Sequence, residues 1–265
     1  MFNLPSIVLL SVLALIGIHG LRVLLLSDTA DLVFALDWAV VPARWAAAYG
    51  GVQPDDILNA LSASGTDDER SLQVQVARYV LSEGDGKPWT AITYAFLHGS
   101  WTHVLLNSVW LAAFGTPVAR RCGAWRYVAL ALATAIGGAV AHVVMHPYQP
   151  FPLVGASAAV SGMMAAAAWF IFAPATWLLQ GRLAEPHERP REALVDLIRN
   201  RRVVIFLAVW FASNLVSSIL AQPLGLTDAS IAWEAHIGGF LVGLALFPIL
   251  DPIDPRPTRR SLNRT

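Results

Sequence analysis

Apolar residues along this chain gather into six windows almost free of charge: Leu4–Leu26, Thr102–Val118, Tyr127–Met145, Leu153–Ala173, Val203–Ala221 and Ile231–Leu250. Of all the Lys, Arg, Asp and Glu residues, only Arg22 and Glu234 fall inside them. Each window comes close to the roughly 20 apolar residues that cross a bilayer core. The apolar runs are continuous, whereas the strands of a membrane barrel alternate over about ten residues. The pattern therefore predicts an all-α, polytopic membrane protein with six transmembrane helices. Residues 1–26 read as the first span, uncleaved because no basic stretch precedes it. Residues 27–101 read as a long outer loop with interfacial segments. Residues 102–250 hold the other five spans, one domain with 1–26, and 251–265 form a basic cytoplasmic tail.

Composition agrees. Of 265 residues, 56% are hydrophobic and 14% charged, against about 25% charged in a soluble domain. Disorder and an ordinary cytosolic enzyme are excluded, and the single Cys122 excludes an internal disulfide framework. The net charge of zero hides an asymmetry. Arginines crowd the loops after the second and fourth windows and the tail after Leu250, while ten acids lie between Asp28 and Asp85. Loops rich in Lys and Arg stay cytoplasmic. Both termini are therefore expected in the cytoplasm and the acidic loop outside, as in a bacterial inner membrane. Nucleotide-loop and zinc-type spacings are missing, so no nucleic acid, metal or cofactor is expected.

Polar groups inside a bilayer are costly and need an account. By span parity, windows two, four and six run in the same direction, so their first turns share one depth. Window two opens with His103 and Asn107 at i, i+4, window four with Gly155-Ala156-Ser157, and window six with Glu234-Ala235-His236. At 1.5 Å per residue, Ser157 and His236 lie roughly 6 and 8 Å below the start of their spans. A serine hydroxyl needs a base to become a nucleophile, and histidine is the usual one. An oxyanion needs donors, which an Asn amide, a His N–H and a helix N-terminus can supply. The set suits acyl transfer by a Ser157–His236 dyad, with no acid evident to orient His236. Small residues let helices approach. His236, Gly239 and Gly243 form one stripe, and Ser157, Ser161 and Ala165 another, so spans four and six are expected to pack with the dyad at their outer ends.

The Gly155-Ala156-Ser157 turn, the His103-x-x-x-Asn107 pair, the Ala235-His236-x-x-Gly239-x-x-x-Gly243 stripe and the approach Trp89–His103 together resemble the rhomboid family of intramembrane serine proteases. The resemblance covers roughly Trp89 to Leu250. It implies a six-helix bundle with a cavity open to the outer side. Ser157 would be the nucleophile and His236 the general base, with His103 and Asn107 at the oxyanion. Substrates would be single-span membrane proteins, entering from the lipid past span five and the loop Gln222–Ala229. The sequence departs from the family at Ala158, where Gly is usual, and at Ser161, where an aromatic often stacks on the histidine. Two smaller departures are Thr90 and Ala119. These changes keep an alternative in view: an impaired relative that binds transmembrane segments without cleaving them.

Other polar residues receive plainer readings. Arg22 is expected to snorkel, and Glu234 to face water or a loop. His142 and His146 form an i, i+4 pair at the outer end of span three with no third metal ligand in view. His98 reads as a loop-packing residue, and Cys122 as a cytoplasmic loop residue.

Overall fold

A computed structural model describes residues 4–63, 65–173, 178–179, 182–220 and 232–253, the side chains of 178–179 and 217–220 apart. The loop Gln222–Ala229, the start of the sixth window at Ile231 and the tail after Ile253 lie outside the described residues. The fold is all-α and polytopic, and helix occupies each of the six windows. They are filled by α1 (Ser6–Leu25), the two limbs of α7 (Trp101–Met145), α8 (Ser157–Ile171), α10 (Arg201–Leu220) and α11 (Trp233–Leu250). Among the described residues, α1, α7 and α11 are long and apolar enough to cross a membrane; α8 is apolar but shorter.

The second and third windows are one run of helix, broken only at Gly123 (φ 77°, ψ 170°). That backbone region is open to glycine and closed to most side chains, so the chain reverses there without a loop. The turn is pinned by Arg121. Its guanidinium pairs with both carboxylate oxygens of Asp251, each at 2.8 Å, and donates to the carbonyls of His187 and Arg189 at 3.2 and 2.6 Å. Both side chains are sealed from solvent, and the guanidinium lies over the Phe170 ring at 4.6 Å. Cys122, beside it, is buried in the core and is not a loop residue.

The centre is a mutual packing of α7, α8 and α11, with α1 laid along α7. Small residues bring the backbones together. The α11 stripe of Gly239 and Gly243 lies where it was expected, but it meets Ala158 and Gly162 of α8, one residue along from the expected stripe of Ser157, Ser161 and Ala165. A Cβ on Gly239 would stand 2.2 Å from the Ala158 carbonyl oxygen, and one on Gly243 2.4 Å from that of Gly162. Trp169 adds a cross-tie, donating its indole N–H to the Leu244 carbonyl at 3.2 Å. α10 meets the bundle through aromatic contacts, including Trp210 and Phe211 with Phe240, and Phe206 with Phe114.

Between α1 and α7 the chain builds α2 (Asp28–Trp38), α3 (Pro42–Tyr49), α4 (Pro54–Ser62), α5 (Asp67–Ser82) and the short α6 (Thr90–Thr93). Proline at the first position starts α3 and α4, where its missing N–H costs nothing. The Glu69 carboxylate accepts from Thr66 N–H at 3.1 Å to begin α5. These helices are tied together by charge. Arg44, buried, donates to the Leu36 carbonyl and to Glu83 at 2.5 Å each. Lys87 reaches Asp37 at 2.6 Å and Glu83 at 2.9 Å. Burial weakens the Lys87 ammonium, but the two carboxylates outweigh it and hold its pKa above the ordinary lysine value. Arg22 does not snorkel. It is buried, forks onto Asp31 at 2.9 Å through two nitrogens, and donates to the His98 carbonyl at 3.1 Å, because a partner acid one short turn away offers a stronger bond than distant water.

After α8, two short strands pair antiparallel, Leu178 with Leu183 and Leu179 with Arg182. The six-residue α9 (Leu194–Arg199) then leads into α10.

Candidate active site

Ser157 is the first residue of α8, with Ala156 as its cap. The segment before it is extended and held from two sides. Leu153 N–H donates to the Val40 carbonyl at 2.7 Å, and Gly155 N–H to the Tyr94 carbonyl at 3.1 Å. Gly155 has φ +123°, a backbone angle strained for any residue with a side chain. It also has no room for one, since a Cβ would meet His103 Nε2 at 2.8 Å and Asn107 Nδ2 at 3.7 Å. The i, i+4 pair of α7 thus faces the turn that delivers Ser157. Ser100 fixes the start of that helix by accepting from His103 N–H at 3.2 Å.

His98 closes the other flank of the turn. It is buried, accepts from Ala156 N–H at 3.4 Å, and meets the His103 ring edge to face with centroids 4.9 Å apart. Its role is wider than loop packing, since it touches both the serine turn and the His103 ring.

His236 lies in the first turn of α11. The glycines three and seven residues on press against the carbonyls of Ala158 and Gly162, so His236 and Ser157 occupy the first turns of two helices in backbone contact. Both are half-buried. The ring of His236 is held by a residue that sequence reasoning missed. Nδ1 hydrogen-bonds the carboxamide oxygen of Asn214, on α10. An amide oxygen only accepts, so Nδ1 carries the hydrogen and Nε2 keeps its lone pair. The signal in the sequence was a polar Asn, beside Ser213, within the fifth apolar window.

The two departures also have structural accounts. Ala158 is buried against Gly138 of α7, whose absent side chain leaves room for its methyl group. Ser161 donates to the Ser157 carbonyl at 2.7 Å. Beside His236, between α10 and α11, is a cavity of about 230 Å³ with apolar walls that include Trp210, Phe211 and Trp233.

Glu234 does not face water. It is buried and bonded to His146 Nε2 at 2.8 Å, because α11 turns its first residues toward the end of α7.

Comparison with known proteins gives two findings. The family described as Rhomboid domain matches residues 85–252. The rhomboid protease GluP of Bacillus subtilis (strain 168) is 36% identical over 158 residues, which are 60% of this chain and 25% of that protein. The chain thus aligns with about a quarter of the length of that curated relative.

Proposed function

The chain belongs to the rhomboid family, and on that premise we propose that it is an intramembrane serine endopeptidase. Its substrates would be single-span membrane proteins, cut within or near their transmembrane segments. The observation that carries the reading is the turn at Gly155, which points the head of α8 at His103 and Asn107 while α11 packs its His236 stripe against the same helix.

In this reading Nε2 of His236 takes the proton from the Ser157 hydroxyl as Oγ attacks the scissile carbonyl. It then returns the proton to the leaving amine. The charge developing on the carbonyl oxygen is met by Asn107, His103 and the Ser157 N–H, the last belonging to the unpaired first turn of a helix. Asn214 is a positioning residue that keeps the proton on Nδ1. The apolar cavity between α10 and α11 would receive side chains of a segment arriving from the lipid. No metal or cofactor takes part. The arginine-rich loops support both termini in the cytoplasm and a site opening to the outer side.

A serine-reactive fluorophosphonate tests the reading. Labelling of Ser157 in the wild type, and its loss in His236→Ala, is expected, together with cleavage of a single-span substrate in liposomes. Equal cleavage by wild type and Ser157→Ala would overturn it. Capture of an uncut substrate by an unlabelled wild type would favour the binding-only relative instead.

A further inference from the structure

The outer end of α7 carries a second cluster of chemistry, outside the site just described. His142 lies in the last turn of the helix and His146 caps it. Glu234, from the first turn of α11, enters between them. Its two oxygens lie 2.8 Å from His146 Nε2 and 3.7 Å from His142 Nδ1, and one ligand atom from each residue falls within 4.8 Å of the others. His142 and Glu234 are buried, while the His146 side chain is 41% exposed.

An ordinary ion pair would need only one of these histidines. His142 is 5% exposed, and its Nδ1 points at the carboxylate without a hydrogen bond to anything. A buried nitrogen of this kind usually has a partner. Two imidazoles at i, i+4, one in the last turn of a helix and one at its cap, joined by a carboxylate from another helix, form the donor set of a zinc centre with an open fourth position. Ligands about 2.0–2.1 Å from a tetrahedral zinc stand roughly 3.3 Å apart, and the three ligand atoms here already lie within 4.8 Å of one another. Two nitrogens and one oxygen favour zinc or a similar late transition ion over magnesium or calcium, which prefer all-oxygen shells. The exposed His146 leaves the open position facing the outer water.

We propose that His142, His146 and Glu234 bind one zinc-like divalent ion that staples the end of α7 to the first turn of α11. The ion fixes the turn that carries His236, two residues beyond Glu234. The proposal stands apart from the protease reading, because binding is measured without turnover.

The test uses the full chain in detergent, stripped with a chelator. Zinc is expected to raise the melting temperature saturably at one equivalent, and cobalt(II) to give visible ligand-field bands that zinc removes. Magnesium should do neither. His146→Gln keeps a hydrogen-bonding side chain at an exposed position, so it should fold as the wild type does without metal. It and Glu234→Gln should bind at least tenfold more weakly. Ser157→Ala should bind as the wild type does, whatever becomes of the protease reading. No saturable binding in the wild type, or an equal response in His146→Gln, would overturn the proposal.

Discussion

His236 on α11 and Asn214 on α10 are joined by a hydrogen bond from imidazole Nδ1 to carboxamide oxygen. In the proposed mechanism the ring orientation is thus supplied by a neighbouring helix, where an acid would stand in a triad. Loss of one such bond is worth about 1 kcal/mol, or roughly five- to tenfold in rate. Asn214→Ala is expected to lower kcat by about that factor with KM and melting temperature little changed. An unaltered fluorophosphonate labelling rate would show that Asn214 does not position the ring.

At Gly155 the strain and the lack of room act together. Gly155→Ala should lose about 1–3 kcal/mol from the backbone angle alone. It should also push His103 away, since its added methyl would sit 2.8 Å from Nε2. Thermal melts and Ser157 labelling should fall together. A stable variant with normal labelling would contradict the geometry of the turn.

Larger residues at the α8–α11 crossing have backbone in front of them, not side chains that can swing aside. Gly243→Leu is therefore expected at or beyond the upper end of the ~1–3 kcal/mol typical of overpacking. Comparing its melting temperature with that of Leu241→Ala, an exposed position on the same helix, separates the crossing from helix propensity.

Arg121 and Asp251 are wholly buried partners. Removing one leaves the other charge stranded, at about 3–5 kcal/mol. Asp251→Ala should therefore unfold far below the wild type. Arg121→Met with Asp251→Leu should recover part of the loss, but not all, because the His187 and Arg189 carbonyls lose their donor. A double variant no better than Asp251→Ala would show that the hydrogen bonds to those carbonyls outweigh the charge.

Lys87 gives a pH dependence. Its pKa in the folded chain is raised above the ordinary 10.5. The stability it contributes is therefore fully present below 10.5 and is lost as pH rises through the folded value. Wild type should melt above Lys87→Met at neutral pH, and the gap should close in alkali. A gap constant with pH would mean that the lysine acts by packing alone.

The helices in the six windows, and the glycine stripe on α11, were legible because spacing within a helix is written directly in the sequence. The face of α8 that the stripe meets was not, since Ala158 and Gly162 are no more distinctive than their neighbours. Nor were contacts between distant segments. Glu234 reads as facing water or a loop partner until α11 is set against the end of α7 and His146 is seen to take it. Arg22 reads as a snorkelling cation until α2 brings Asp31 back to it. Asn214 was one of a few polar residues in an apolar run, with Ser213 beside it, and only the packing of α10 gave it a partner. The reversal between windows two and three was legible as an arginine-rich gap, but that helix runs through it and turns at Gly123 was not, because one residue at positive φ carries no pattern of its own.

Gly138 has no polar atom in its side chain and lies outside the segments that carry Ser157 and His236. Yet a methyl group there would strike the Ala158 side chain at 2.4 Å and the Ala235 carbonyl at 2.7 Å, the residues next to Ser157 and His236. The spacing of α8 and α11 is thus gauged by a hydrogen atom on a third helix. A single inherited change at Gly138 would pull apart the turns that carry Ser157 and His236 while leaving every polar residue of the candidate site intact.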